Sequence, residues 1–304
     1  MNKKWVFLLA VVALMSTTVY GQRNRDTVAV TVYTNNPTEV PQGTYAVGFL
    51  SWNRGVDGLA NGIVVEGDYR VLPELDITAR IGATGFLSSS SDKPLAFEGE
   101  VSGAYWLTST IRDKAKQMVP LRGGSYMLNT RLAEEVRLGG RGGVNFASFT
   151  YAKKGNNGFL VDYVINASNQ TVGTLDLQQS SIATLFAGVC YENRSHATLN
   201  AEGFGDIVYV RRTIIYADVL YAPAISATFK SNLYSGESSP ANYDIDGLKR
   251  NLGVRGGFKK IISFGEGNGF VTLMVEGGAF PSLDLPKPTF SFYLRAGGTI
   301  GLFY

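Results

Sequence analysis

From Thr44 onward the chain alternates apolar and polar residues with a period of two, in runs separated by turn-rich segments. Thr44 to Trp52 sets Tyr45, Val47 and Phe49 on one face. Ile63 to Val71 sets Ile63, Val65, Tyr69 and Val71 against Glu66, Asp68 and Arg70. Leu75 to Phe86 opposes Leu75, Ile77, Ala79 and Ile81 to Asp76, Thr78, Arg80 and Thr84. Leu95 to Leu107 opposes Leu95, Phe97, Val101, Tyr105 and Leu107 to Glu98, Glu100, Ser102 and Trp106. Arg131 to Tyr151 sets Leu132, Val136, Leu138, Val144 and Phe146 against Glu135, Arg137, Arg141 and Asn145. Ser181 to Glu192, Arg212 to Ala222, Leu252 to Ile262, Phe270 to Phe280 and Thr289 to Tyr304 follow. A surface hairpin is expected at Phe159 to Asn166. The pattern predicts an all-β chain of about ten antiparallel strands, between about eight and twelve. The charged inner register, tyrosines that share one rim and the terminal strand favour a closed transmembrane up-and-down barrel over a soluble β-sandwich.

The final run, TFSFYLRAGGTIGLFY, carries the most specific signal. Leu294, Ile300, Leu302 and Tyr304 share one register, and Tyr293, Arg295 and Thr299 the other. A last strand ending on an aromatic residue resembles the closing strand of Gram-negative outer-membrane β-barrels, of the small OmpA/OmpX or porin-like kind. That resemblance implies delivery to the outer membrane, with the terminal strand read by the barrel-assembly machinery. It also implies contact with outer-membrane lipid and possible protein partners in that membrane. An even strand count puts both barrel ends on the periplasmic side. Tyr45, Tyr69, Tyr105, Tyr191 and Tyr304 then share the periplasmic rim as an aromatic girdle. In that scheme Asn53 to Ala60, Ser88 to Pro94, Ala152 to Gln179, Ser231 to Leu248 and Pro281 to Pro288 lie outside the cell. Leu72 to Glu74 and Gly265 to Gly269 are periplasmic turns. Ser109 to Asn129 and Asn193 to Gly205 are long for such turns.

The start of the chain agrees with export. Lys3 and Lys4 precede the apolar run Trp5 to Met15, and Val19 and Gly21 fit a cleavage site before Gln22. The expected organisation is a signal peptide over 1–21, a periplasmic N-terminal segment over 22–42 and a barrel over 43–304. With 36 Gly, 16 Tyr, 17 Phe and only 17% charged residues, the composition suits lipid-facing strands. A net charge of +3 gives no reason to expect a nucleic-acid partner.

Candidate chemistry concentrates on the polar register. Glu66, Asp68, Asp76, Glu98, Glu100, Glu135, Asp218 and Glu276 are expected to face Arg70, Arg80, Arg137, Arg141, Arg255 and Arg295 across the lumen. Buried charges must be paired, so an Arg–carboxylate network filling a narrow barrel is the leading expectation, with a narrow passive channel as the alternative. One cysteine, Cys190, excludes an intrachain disulfide, and one Cys with one His excludes the usual zinc sets. The only histidine, His196, is expected in a solvent-exposed periplasmic turn. On that ground the chain is read as a non-enzymatic structural or accessory barrel without cofactor. Asp244 and Asp246 are read as a solvated turn rather than a calcium loop, and GEGNG (Gly265 to Gly269) as a hairpin turn rather than a phosphate cradle.

Overall fold

The computed structural model describes residues 29–54, 59–84, 95–121, 126–151, 159–263, 269–284 and 292–303. The strands are β1 (Val30–Asn35), β2 (Gly43–Arg54), β3 (Leu59–Leu72), β4 (Leu75–Thr84), β5 (Leu95–Leu121), β6 (Tyr126–Thr150), β7 (Phe159–Ile165) and β8 (Thr171–Ala201). They continue with β9 (Gly205–Leu233), β10 (Ser238–Ala241), β11 (Lys249–Arg250), β12 (Leu252–Ser263), β13 (Gly269–Ala279), β14 (Ser282–Leu283) and β15 (Phe292–Phe303).

Ten of them close a ring. β2, β3, β4, β5, β6, β8, β9, β12, β13 and β15 pair antiparallel in that order, and β15 returns to β2 from Phe303↔Thr44 to Tyr293↔Arg54. Closure leaves no open sheet edge around the ring, which is what a sheet needs in lipid. The alternative of a two-sheet sandwich falls with it. Outward positions are apolar and bare, with Phe49 70% and Val189 61% exposed. Inward neighbours are covered, with Glu66 at 8% and Glu276 at 1%. Apolar outside and charged inside inverts the soluble rule and is the architecture of an outer-membrane β-barrel.

Four strands run far past the ring. β8 has 31 residues, roughly 100 Å at about 3.3 Å per residue, against the 9–11 or so that cross a bilayer. The stretches expected as long turns, Ser109 to Asn129 and Asn193 to Gly205, are mostly strand. β5 and β6 stay paired down to Leu121↔Tyr126, and β8 and β9 down to Ala201↔Gly205. The second hairpin turns on Gly203 and Gly205, both at positive φ (79° and 80°), a conformation that side chains disfavour. β6 and β8 separate beyond Glu135↔Arg194, and β1 then takes the place of β6 along β8, from Ala197 to Ala201.

The two extensions bury a joint core of Val119, Leu121, Leu132, Ala197, Leu199, Ala201, Ile207 and Tyr209, with Val30 against it. They form a small sandwich at the barrel end that carries Gly43 and Phe303. Leu132, expected to face lipid, is fully buried here. Its strand has left the ring, and the extension of β8 and β9 covers the face that lipid covers higher up.

At the opposite end β7 pairs with β8, in the region expected to carry a surface hairpin, and β10 pairs with β9. The expected loop Ser231 to Leu248 therefore contains the end of β9, β10 and the 3-10 turn Asp246–Leu248, while β11 and β14 form a separate two-stranded strip. The 1–21 segment, Ser88 to Pro94, most of GEGNG and Tyr304 lie outside the described residues.

Candidate functional site: a charge belt between two apolar plugs

Inward positions on the ring strands point at one another across a narrow lumen, and small residues make room for large ones. Tyr216 lies over Gly257, and Phe186 over Gly143, where any Cβ would collide with the ring. The space left is filled by ion pairs in two zones along the axis.

Towards the middle of the barrel, Arg255 donates to Glu100 (2.6 Å) and Asp218 (2.7 Å). Arg80 reaches Glu98 (3.1 Å) and Glu100 (3.0 Å). Arg295 bridges Glu98 (2.5 Å) and Glu276. Glu276 also accepts from Tyr293 (2.8 Å) and Tyr216. Arg141 stands 3.4 Å from Glu100 and 3.6 Å from Asp218, with its guanidinium 4.0 Å from the Tyr216 ring centre. Lys259 joins Glu66 and, at 2.9 Å, Asp68.

Nearer the base, Arg137 is shared by Glu192 and Asp76 (2.8 Å) and stacks 4.1 Å over Trp106. The Trp106 indole N–H donates to Asp76 at 3.0 Å. Arg212 reaches Glu192 (2.7 Å) and Asp76 (3.5 Å), Arg70 lies 3.6 Å from Asp76, and Arg194 donates to Glu135 (2.6 Å).

All fourteen charged residues singled out from the polar register therefore sit in this belt. Four more belong to it: Glu192, Arg194, Arg212 and Lys259. The eight acids become nine and the six bases become nine, so the belt is neutral as drawn. Glu192, Arg212 and Lys259 had a signal, since each continues the inward parity of its strand. Arg194 lies past the expected end of its strand, and nothing in the pattern marked it. Neutrality matters because a single-sign ring would select ions, whereas matched charges at close range satisfy one another.

The belt leaves a cavity of about 70 Å³, lined by Asp68, Arg80, Glu100, Arg212 and Lys259 among others, which has room for a few waters. Apolar clusters lie beyond it on both sides. On the side of the long loops Phe149, Ile182, Phe186, Leu220, Phe280 and Tyr293 pack together, with Tyr243, Ile245 and Leu248 of the 234–251 segment against them. At the base Val40 enters the mouth and packs with Ala46, Val210, Ile261, Phe270 and Phe303. Val40 is held there because Arg70 donates to the carbonyls of Thr38 (3.2 Å) and Val40 (3.4 Å). The segment expected as a periplasmic N-terminal stretch thus forms β1 and then crosses the base.

The rim tyrosines divide. Tyr45, Tyr69 and Tyr105 are exposed near the base end, Tyr191 is half-buried, and Tyr304 is outside the described residues. Cys190 is buried beside Trp106 and Tyr216. Asp244 and Asp246 form a local turn: the Asp246 N–H donates to Asp244 at 3.0 Å, and Lys249 holds the exposed Asp246 carboxyl below its usual range. Among the described residues no group of three or more His, Cys, Asp or Glu side chains is arranged to hold a metal ion.

His196 is corrected most sharply. It lies in β8 opposite Val210, half-buried, not in an exposed turn. Its imidazole bonds the backbone of Asn36, and its Nδ1 is buried without a partner. Burial pushes its pKa below the ordinary value, against the opposing pull of Glu39 and the Asn36 bond.

No protein-family model matches this chain, and no curated protein matches it. Solved structures similar to it are barrels of the outer membrane. LpxR from Salmonella typhimurium aligns at 6% identity and a TM-score of 0.34, over 86% of this chain and all of that one. The CymD monoaromatic hydrocarbon channel aligns at 11% identity and 0.22, over 88% and 90%. OmpT of Vibrio cholerae aligns at 7% and 0.20, over 90% and 99%. At such scores the fold rests on the hydrogen-bonded ring itself. The expectation of a chain without enzymatic activity is withdrawn. It rested on a histidine in an exposed turn, and His196 instead lies half-buried in β8.

Proposed function

We propose that this chain is an integral outer-membrane barrel closed to solutes, a structural or accessory component that carries folded β-structure on both membrane faces for partners. The carrying observation is the sequence of barriers along the axis. A solute would have to displace Val40 and its neighbours, part a network of nine acids and nine bases, and then pass the aromatic plug around Phe186. Opening such a belt without removing its members leaves buried charges uncompensated, at several kcal/mol each. In this reading the base sandwich is periplasmic and the β7–β10 region faces outward, with the terminal strand read by the barrel-assembly machinery. Fractionation and flux test it. The protein should sediment with the outer membrane, run faster unboiled than boiled on a denaturing gel, and leave proteoliposomes as slow to swell in arabinose as protein-free ones. Rapid swelling with correctly folded protein would favour the narrow-channel reading instead.

A further inference from the structure

Among the described residues the base sandwich has open sheet edges on β5, β6, β9 and β1, and those of β5 and β1 are built differently. The β5 edge below Tyr105 carries Arg112, Asp113, Lys116 and Pro120, and is broken by register shifts at Trp106/Thr108 and Arg112/Ala115. Charges, bulges and proline are how proteins stop an edge from pairing with another chain. The β1 edge has none of these up to Val32. VTVYTN is uncharged, free of proline and glycine, and made of residues that favour strands. It is also bare: Val32 is 40% and Tyr33 59% exposed.

The register says which backbone groups are open. Ala29 accepts from the Glu202 N–H (3.0 Å), so Ala29 and Thr31 point at β8, while the N–H and C=O of Val30 and Val32 point away from it. We propose that the free edge of β1 is a docking site for an extended, uncharged strand of a partner protein, added antiparallel to Val30–Val32. The interface would continue one that already exists, since β1 is itself a strand laid on β8 where β6 departs.

A partner fits better than a second copy. Antiparallel self-pairing needs a two-fold axis along the sheet normal, whereas two barrels in one membrane are related by an axis along the membrane normal. Strands continuing a barrel wall keep those directions far apart. This point rests on the membrane-barrel reading.

The test is a photo-crosslinking residue at Tyr33 in intact cells of the native host. A discrete adduct heavier than the chain, not a doubled mass, is expected, and Val32→Pro should abolish it. That proline removes only an N–H that points away from β8, so β1 keeps its own ladder. Val32→Lys, which leaves the backbone intact and adds a guarding charge, should reduce the adduct at least fivefold. Amide exchange at Val32 should be slower in outer-membrane preparations than in purified protein. No adduct, an adduct of doubled mass, or one indifferent to both variants would overturn the proposal. Gel mobility of the unboiled protein reports the barrel separately, so loss of the barrel and loss of docking are distinguishable.

Discussion

Val65 and Leu199 occupy the same kind of position, an apolar residue at outward parity on its strand. Val65, in the ring, is 50% exposed, and Leu199, in the base sandwich, is fully buried. What differs is the medium that meets the outward face. In the ring it is left for lipid. Below Arg194 it is a second layer of the same chain. A period of two records that a face is apolar and says nothing about what covers it.

Three kinds of burial can be broken separately. The largest effect belongs to the charge belt. Arg255→Leu takes one buried cation from Glu100, Asp218 and Glu276, leaves the belt one positive charge short, and should cost about 3–5 kcal/mol, read as a fall in the urea midpoint in detergent. An unchanged midpoint would mean that the belt is not closed. Leu199→Ala comes next. It empties part of a protein core and should cost about 2–5 kcal/mol of local stability, with early proteolysis of the β8–β9 extension while the barrel stays resistant.

A smaller effect is expected from pH at the base. His196 has a depressed pKa in the folded state, so the unfolded chain binds the proton more readily. Stability is whole above the ordinary histidine value of about 6.5 and is lost as pH falls through it towards the folded value. Protection factors of the β1 amides, corrected for intrinsic exchange, should fall below about pH 6, and His196→Gln should flatten that dependence. The smallest effect is Val65→Ala, which trades one lipid-facing side chain for another and should leave the urea midpoint within about 1 kcal/mol. If Val65→Ala and Leu199→Ala cost the same, the contrast between the two faces is wrong.

Much of the ring was legible because lipid and lumen impose one rule on every strand. Glu98, Glu100 and Ser102 against Phe97 and Val101 could be sorted by parity alone. The belt was legible for the same reason, as a buried charge has few other places to go. The sandwich was not. Leu132 and Leu199 carry the parity of lipid-facing residues, and nothing local tells that β6 and β8 have parted. His196 was misplaced because NRSHATLN is polar enough to suggest a turn, while the pairing with Ile207, Val208 and Tyr209 that makes it strand is a tertiary fact. The closing role of Val40 depends on Arg70, thirty residues on, and has no sequence signature.

The closed lumen is the central claim, and planar-bilayer recording of the purified, heat-modifiable protein tests it most directly. The expected trace is silent at moderate voltage in molar salt. Stable, ohmic unit steps that appear in proportion to the folded protein added would contradict it.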